Sequence, residues 1–461
     1  MKANFHCMPE ACPEASPSVQ LVQIEVSPGH PLLVLKRALP WEAITEAMRR
    51  HWREHGKNVD GGPGLPWDVS LYVPLVVLML IKNFDSRQME TYLAENVVAR
   101  VFIGRHRDIH AQIRDHSNIA RAYAALGQAG IDEVTRLVIQ EAHGFGFVDE
   151  GVMSSDTTAQ ELAIGYPNEP GILRGLAQRC GRALTQLNKR GVQGLESAME
   201  QVRTILRSVK EHHLFTKDKA DKRQVLTRIL REVGELMVQT RPLVERLATR
   251  SERVIQSARA RLMAMHEVIK PLMGQIVHWL TTGKVAANKI VHVGIPQARA
   301  IVRNKAGKKT EFGLAYLISR LGGGYVFGER IKANADERQM PLKALAGYRK
   351  IFGQQATPEL VVYDRGGDST PTRRKLALAG VKDVGIQPKG KRPWSVAEAV
   401  REQIRSERGR TEGCIGTLKS NRYKFNKPKE RLWHMLEMAG PRSILSFNLN
   451  KFMRDLVALT R

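Results

Sequence analysis

The chain has 461 residues, 43% of them hydrophobic, so it can hold roughly two to four domains, or one domain with a large insertion. Its 72 Lys and Arg residues against 46 Asp and Glu residues give a formal net charge of +26, which favours nucleic acid as partner over a merely basic protein. Four scattered cysteines exclude a disulfide framework and fit a reducing cytoplasm.

The sequence shows no pattern for a membrane span or an export signal. The most apolar run, Leu71–Ile81, is too short to cross a bilayer and contains Pro74, so it predicts a buried helix. The N-terminus lacks a basic region followed by an apolar core, so we expect no secretory signal. We therefore expect a cytoplasmic protein with no membrane partner.

The first part of the chain divides into an arm and a helical region. Residues 1–40 mix Pro, Ser and Glu with β-like runs such as Leu32–Leu35, which predicts an irregular N-terminal arm. In residues 41–146, apolar residues at helical spacing and the capping residue Ser86 predict helices. Arg100–Arg114 is rich in Arg and His and is either a DNA-facing surface or a solvated helix face. The predicted helices are Trp41–His55, Val69–Lys82, Ser86–Asn96, Asp115–Ala125 and Ile131–Gly144.

A strand that carries an acid is predicted next. The run Gly151–Asp156 is typical of a strand, and Thr157 and Thr158 follow its carboxylate. An Asp in this setting is either a ligand or, more commonly, a turn or cap residue.

Residues 171–285 carry apolar residues at helical spacing with Arg and Lys between them, which predicts either a helical insertion or an independent coiled-coil-like domain. This helical block serves either as a spacer or dimer contact or in DNA binding. Its predicted helices are Leu173–Leu187, Val192–Lys210, Arg223–Met237 and Pro242–Leu280.

From Lys289 the pattern changes to strands alternating with helices. Together with the strand at Asp156, this order predicts an α/β fold with a mixed sheet. The predicted strands are Ile290–Val293, Gln297–Asn304, Phe312–Leu321, Tyr325–Gly328, Leu360–Asp364 and Val384–Gln387. The predicted helices are Glu337–Phe352 and Pro371–Ala379.

The most informative strand is Leu360–Asp364. Its short apolar run is followed at once by Gly366 and Gly367, which predicts a fully buried strand with the Asp364 carboxylate at its C-terminal end. In open α/β sheets, ligands bind at that end of the strands.

A basic helix near the C-terminus presents one carboxylate among cations. At about 100° per residue, Arg408, Glu412 and Lys419 fall within about 40° of one another, and Arg401 and Arg405 lie near the same face. The alternative is a solvated face with an ion pair between neighbouring turns.

Three glycines in this helix count against the alternative. Gly409, Gly413 and Gly416 each cost a helix about 1 kcal/mol relative to alanine. They therefore suggest that a backbone or a ligand approaches the helix closely.

The three acids, Asp156, Asp364 and Glu412, offer the oxygen donors that Mg²⁺ prefers. They could hold two ions roughly 4 Å apart, which would activate a water or a 3′-hydroxyl and stabilise the leaving oxygen in phosphodiester transfer. The cations beside Glu412 would then position a DNA backbone.

At these residues the chain resembles the bacterial insertion-sequence DDE transposases, which have a ribonuclease H-like catalytic domain. DTT at Asp156–Thr158 resembles the first acid motif of the family. YDRGGDS at Tyr363–Ser369 resembles the second, D-R-G-Y-D-S, with Gly367 at the Tyr position. Arg408-x₃-Glu412-x₆-Lys419 resembles the third, Y-x₂-R-x₃-E-x₆-K, with Arg405 at the Tyr position.

Two weaker motifs extend the resemblance to roughly residues 40–455. KKTEFG at Lys308–Gly313 is similar to the strand between the first two acids, and DHSNIARAY at Asp115–Tyr123 to the helical domain before the catalytic core. No family motif falls in residues 171–285.

The resemblance implies a ribonuclease H-like mixed sheet with flanking helices, an N-terminal helical DNA-binding domain over residues 41–146 and a DDE catalytic domain over residues 147–461. Residues 171–285 would interrupt the catalytic domain as a helical insertion. The implied activity is metal-dependent cleavage at the transposon ends and strand transfer to target DNA. The alternatives are a ribonuclease H-like nuclease without strand transfer and an inactive, domesticated DNA-binding protein.

The family roles carry over residue by residue. Asp156, Asp364 and Glu412 become catalytic ligands for Mg²⁺, with Mn²⁺ able to substitute. The expected partners are double-stranded DNA, as terminal inverted repeats and as target, and a second copy of the chain in the active complex, at the bacterial nucleoid. The expected DNA contacts are Arg408, Lys419, Arg405 and Arg365.

Overall fold

The computed structural model describes residues 25–61, 67–105, 115–302, 310–390, 393–394 and 396–459. In these residues the chain is mixed α/β, with one six-stranded mixed sheet and many helices. Most of Arg100–Arg114, together with Lys308 and Lys309 of the KKTEFG motif, lies outside the described residues.

Six helices precede the sheet in the part of the chain that the structure describes. Leu32–Leu35, predicted as a β-like run, lies in a helix instead, because Pro31 occupies its first turn and His30 caps it by accepting from the Leu32 amide. The apolar side chains Leu32 and Leu35 are buried, so this part of the expected arm is a packed element. The six helices are α1 (Pro31–Ala38), α2 (Trp41–Glu54), α3 (Val69–Lys82), α4 (Ser86–Glu95), α5 (Val97–Phe102) and α6 (His116–Gly144).

Helix α3 confirms the prediction of a buried apolar helix. Asp68 caps its first turn, and it ends at Asn83, whose backbone is left-handed with φ 51°. Among the described residues, no single helix is long and apolar enough to cross a membrane. In the same residues, only the pair α3 and α4, which are bent by 102° relative to each other, together have the length and composition of a membrane span.

Helix α6 joins the two predicted helices Asp115–Ala125 and Ile131–Gly144. The predicted break between them is confirmed, because Gly127 adopts φ 66° and ψ 178° inside α6.

The sheet is built around its first strand. The strands are β1 (Asp149–Glu161), β2 (Arg299–Val302), β3 (Thr310–Gly322), β4 (Val326–Ile331), β5 (Leu360–Tyr363) and β6 (Asp383–Ile386). Strand β1 pairs antiparallel with β3 on one side and parallel with β5 on the other. The strand order is β2-β3-β1-β5-β6, and β4 pairs with β3 on the same side as β2.

The predicted strand Ile290–Val293 is wrong. These residues form a loop whose alternating apolar side chains enter two different cores. Ile290 and Val293 pack with the helices that precede them, whereas Val291 packs against the sheet. The alternation therefore reflects burial on two sides rather than pairing in a sheet.

Four long helices lie between β1 and β2 and form a bundle with its own apolar cluster. The predicted helix Pro242–Leu280 is wrong, because α9 runs through Pro242 and ends at Arg246. A 3₁₀ turn over Leu247–Thr249 and extended residues then reverse the chain before the next helix. The bundle helices are α7 (Glu169–Asn188), α8 (Glu196–Leu214), α9 (Lys219–Arg246) and α10 (Arg253–Thr282).

The remaining helices cover both faces of the sheet. On one face, Leu317 and Leu321 of β3 share a single cluster with the N-terminal helices, so those helices have no separate core. On the other face, Leu314 and Ile318 pack with residues near the C-terminus. The helices are α11 (Met340–Phe352), α12 (Thr370–Leu378), α13 (Glu398–Lys419), α14 (Trp433–Leu436) and α15 (Ala439–Leu459).

Candidate active site

The register of two parallel strands brings the first two acids to one level of the sheet. Ser154 of β1 lies beside Val362 of β5, and both strands run in the same direction. Asp156 and Asp364 each follow two residues later. They therefore meet at the edge where β5 ends, although β1 itself continues to Glu161.

Local hydrogen bonds orient both carboxylates. Asp156 is half-buried and accepts from the Thr157 amide at 2.7 Å. Asp364 is exposed, caps the short 3₁₀ helix after β5, and accepts from the Arg365 amide at 2.7 Å. Both acids thus keep their charged oxygens at the open edge of the sheet.

Helix α13 is held against β1 by a buried polar contact. Thr411, which is 2% exposed, donates to the Ser154 hydroxyl at 2.8 Å. Deeper in the contact, Glu407 forms a buried ion pair with Arg320 of β3. Because Thr411 and Glu407 point inward, Glu412 faces the open side of the helix.

One cavity collects five of the seven predicted site residues. It has a volume of about 590 Å³ and lies between the open edge of the sheet and α13. Across it, Arg408 forms an ion pair with Asp364 at 2.9 Å. The predicted residues in its lining are Asp156, Asp364, Arg408, Glu412 and Lys419.

The other two predicted DNA contacts lie outside this lining. Arg405 is 68% exposed and pairs with Glu398 at 3.4 Å, and Arg401 pairs with the same carboxylate at 2.9 Å. Arg365 is exposed at the start of the 3₁₀ helix after β5. The structure therefore places both arginines beside the cavity elements but not in the cavity.

A fourth acid in the lining, Glu337, was missed from the sequence. It opens the 3₁₀ turn before α11 and faces the loop after β5, where a Cβ on Gly366 would lie 1.8 Å from its Oε2. The sequence carries no signal for it, because Glu337 reaches the cavity only through the packing of two distant loops. Because Gly366 has no Cβ, it leaves room for that carboxylate in this position.

The departure at Gly367 from the family motif also has a structural cause. A Cβ at this position would lie 2.5 Å from the ring of Tyr363, the last residue of β5. The buried Tyr363 ring therefore occupies the space that a side chain at position 367 would need. Burial, followed by the charge of Asp156, raises the pKa of Tyr363 and keeps its hydroxyl protonated.

The three glycines of α13 lie on its open side. For Gly409, Gly413 and Gly416, a Cβ would meet no described atom within 4 Å. No described part of the protein's own backbone approaches these glycines closely. Within the described residues, that explanation for the three glycines is therefore wrong. Gly416 lies in the cavity lining, so ligand approach remains a prediction there.

The acidic side chains of the cavity offer the oxygen ligands that hard cations such as Mg²⁺ prefer. The Glu412 side chain forms no hydrogen bond or ion pair with any described residue. Within the described residues, one group of three His, Cys, Asp or Glu side chains has all its ligand atoms within 4.8 Å of one another. That group lies outside the cavity and consists of Glu90, Asp115 and His116. The acids of the cavity therefore do not form a cage around a single ion.

Comparison with known proteins gives one match. Residues 21–125 match the family model described as a transposase domain, DUF772. The match ends within α6 and includes none of the cavity residues. It supports a transposase, and thereby an enzyme that acts on nucleic acid. No curated protein and no solved structure matches the chain.

Proposed function

We propose that the chain is a DDE transposase that uses metal ions to cleave phosphodiester bonds at the ends of its element and to join them to target DNA. The observation that carries the proposal is the cavity that Asp156, Asp364 and Glu412 share with Arg408 and Lys419. The transposase-domain match supports it independently, because its residues and the cavity residues do not overlap.

The ribonuclease H-like assignment belongs to this proposal. It is supported by the central position of β1 between antiparallel β3 and parallel β5, which sets Asp156 beside Asp364. A long helix then crosses the same edge with the third acid, Glu412. Residues 147–461 would be the catalytic domain, residues 171–285 its helical insertion and residues 41–146 the DNA-binding domain.

The acids would hold Mg²⁺, or Mn²⁺ in its place. Mg²⁺ keeps several waters and takes one or two carboxylates together with phosphate oxygens, so a cage of three acids around one ion is not required. When bound, a pair of ions would supply an activated water or 3′-hydroxyl and stabilise the leaving oxygen. Glu337 adds negative charge to the same lining and is a further candidate ligand.

The cations of the cavity would position the DNA. Arg408 pairs with Asp364 in this structure and would exchange that carboxylate for a phosphate oxygen, whose geometry suits its planar fork. Lys419 lies two turns beyond Glu412 on the same side of α13 and would contact the next stretch of backbone. Arg405 and Arg365 would extend this contact outside the cavity.

The acids are tested by charge-removing variants of similar volume. In Asp156→Asn, Asp364→Asn and Glu412→Gln, we expect cleavage of a plasmid that carries the DNA flanking this gene to fall by about 10³-fold or more, as for a group of residues that act as a unit. Affinity for the same DNA in a chelator should stay within about 2-fold, because the cations remain. The control is Glu359→Gln, since Glu359 precedes β5 at its other end and is 75% exposed.

Near-normal cleavage in any one of the three variants would remove that acid from the site. The joining of cleaved 3′ ends to a second plasmid separates a transposase from a nuclease of the same fold. If the wild-type protein cleaves without joining, the nuclease becomes the better assignment. If it binds DNA without cleaving in Mg²⁺ or Mn²⁺, the proposal of an active enzyme fails.

A further inference from the structure

Three arginines lie together where α7 packs against α10. Arg179 and Arg182 are one turn apart on α7, and Arg261 of α10 donates to Gln186 Oε1 of α7 at 2.8 Å. Burial, followed by the charges of Arg182 and Arg261, lowers the pKa of Arg179. The three guanidinium groups, called the arginine cluster below, are therefore neighbours of like charge.

The arginine cluster lacks the acidic partners that several other bundle arginines have. Within the described ranges, none of its members forms an ion pair with a carboxylate, and the Arg179 side chain makes no hydrogen bond. On α8, Arg203 and Arg207 pair with Glu200 at 2.8 and 2.9 Å, and on α9 Arg231 pairs with Glu235 at 3.7 Å. The positive charge of the cluster has no acidic partner, in contrast to that of Arg203, Arg207 and Arg231.

The chain segment that returns from the bundle to the sheet closes one side of the cluster. A Cβ on Gly294 would lie 1.7 Å from Arg179 Nη2, so the guanidinium rests on bare backbone. Two residues earlier, the Nδ1 of half-buried His292 is buried and has no hydrogen-bond partner among the described residues. Burial, followed by the charge of Arg179, lowers the pKa of His292.

Uncompensated charge of this kind is costly unless a counter-charge is bound. Partly removing like charges from water without a partner raises the free energy of the folded chain. A phosphate diester supplies the missing charge and presents the oxygen pairs that guanidinium groups bind in bidentate fashion. The cluster has the chemistry of a phosphate-binding surface.

We infer that Arg179, Arg182 and Arg261 bind the phosphate backbone of the same double-stranded DNA that passes the cavity. The inference rests on the proposed function and extends it to the helical insertion. Two connections tie the cluster to the cavity: α7 follows β1, the strand of Asp156, and the segment at Gly294 leads into β2, whose last residue, Val302, lies in the cavity lining. Both ends of the bundle are thus joined to strands that contribute to the cavity.

The test is the salt dependence of DNA affinity in the full-length protein. Binding of a fluorescent duplex of arbitrary sequence is measured in a chelator over a series of salt concentrations. Each phosphate contact contributes about 0.9 to the slope of log K against log salt. In the triple variant Arg179→Gln/Arg182→Gln/Arg261→Gln we expect that slope to fall by about 2 to 3.

A matched control removes the same charge from arginines that have carboxylate partners. The triple variant Arg203→Gln/Arg207→Gln/Arg231→Gln should change the slope by less than about 1, because these three arginines are already paired with the two carboxylates of Glu200 and Glu235. Replacing the cluster by three lysines should restore most of the slope, since the charge returns. An equal loss in both glutamine triples, or no loss in the cluster triple, would overturn the inference.

Stability and ligand class are checked on the same proteins. Removing mutual repulsion should leave the unfolding temperature of the cluster triple equal or higher, whereas a purely structural role predicts a lower one. If the triple does not fold, Arg182→Gln alone, at an exposed position, should lower the slope by about 1, and an unchanged slope would reject the idea. A slope change seen with single-stranded RNA but not with duplex DNA would also reject it.

Failure of this inference can be told from failure of the proposed function. Glu412→Gln should keep the wild-type slope in the chelator, because the cavity acid contributes no phosphate contact. If the acid variants still cleave DNA while the cluster triple shows a smaller salt slope, the enzyme assignment fails. The inference that the arginine cluster binds DNA is then retained. If acid variants lose cleavage while the cluster triple keeps its slope, only the present inference fails.

Discussion

The cavity region and the helical bundle hold their charged side chains in different ways. At α13, buried Glu407 is paired with Arg320 and with Arg410, and Arg408 is paired with Asp364. In the bundle, an apolar cluster of its own holds the helices, and the arginine cluster on α7 and α10 has no carboxylate partner among the described residues.

This difference indicates separate tasks for the two regions. Paired charges in the cavity region hold α13 over the sheet, beside the edge where Asp156 and Asp364 lie. In the arginine cluster, Arg261 bonds Gln186 of α7, but none of the three cations has a carboxylate partner among the described residues, and their like charges suit a polyanion. The comparison predicts that polar variants damage the fold near α13 and damage only DNA affinity on the bundle.

The largest effect is expected at the buried ion pair. Glu407→Ala leaves Arg320, whose side chain is 8% exposed, without its partner, and breaking such a pair costs about 3–5 kcal/mol. Chemical denaturation should show this loss of unfolding free energy. As a control, Arg231→Ala breaks an exposed pair of the bundle and should cost less than about 1 kcal/mol. Similar small losses in both variants would mean that α13 is not held by this pair.

The next effect tests whether the bundle core is independent. Leu184 is fully buried in the bundle cluster, and Leu184→Ala should cost about 2–5 kcal/mol. Because that cluster is separate from the one under the sheet, hydrogen exchange should accelerate in α7 to α10 and stay unchanged in β1, β3 and β5. Leu317→Ala, in the cluster that joins sheet and N-terminal helices, should give the reverse pattern. Uniform acceleration in both variants would show one cooperative unit.

A smaller effect is expected at the fourth acid of the cavity. Glu337→Gln keeps the side-chain volume and removes one negative charge, so the Mg²⁺ concentration for half-maximal cleavage should rise about 10-fold, equivalent to about 1.4 kcal/mol. Glu329→Gln is the control, since Glu329 on β4 pairs with Lys343 outside this cavity. An unchanged Mg²⁺ requirement in Glu337→Gln would exclude Glu337 from metal binding.

The smallest effect concerns the glycines of α13. The methyl group added by Gly413→Ala or Gly416→Ala would point into open space, so each substitution should stabilise the protein by up to about 1 kcal/mol. Gly416 lies in the cavity lining and Gly413 does not. Cleavage should therefore fall in Gly416→Ala alone, because a methyl group would obstruct the approaching DNA. Unaltered cleavage in Gly416→Ala would leave ligand approach without support.

Local sequence patterns located the elements that carry the three predicted acids. Asp156 lies on a strand, Asp364 follows a buried strand and Glu412 lies on a helix between two cations, as the apolar periodicity and turn residues indicated. These predictions succeeded because side-chain alternation and helical spacing are set by neighbouring residues. The same reasoning was wrong at Ile290–Val293, where an alternation arises from burial in two cores.

The sequence by itself determined the acid-bearing elements, the basic balance and the helical character of residues 171–285. Only the tertiary structure decided that Asp156 and Asp364 share one level, through the register of Ser154 beside Val362. It also decided that Glu337 reaches the cavity and that three arginines of the bundle stand without acidic partners. The physical reason is that backbone periodicity is local, whereas contacts between distant segments depend on how whole faces pack and on which charges that packing leaves unpaired.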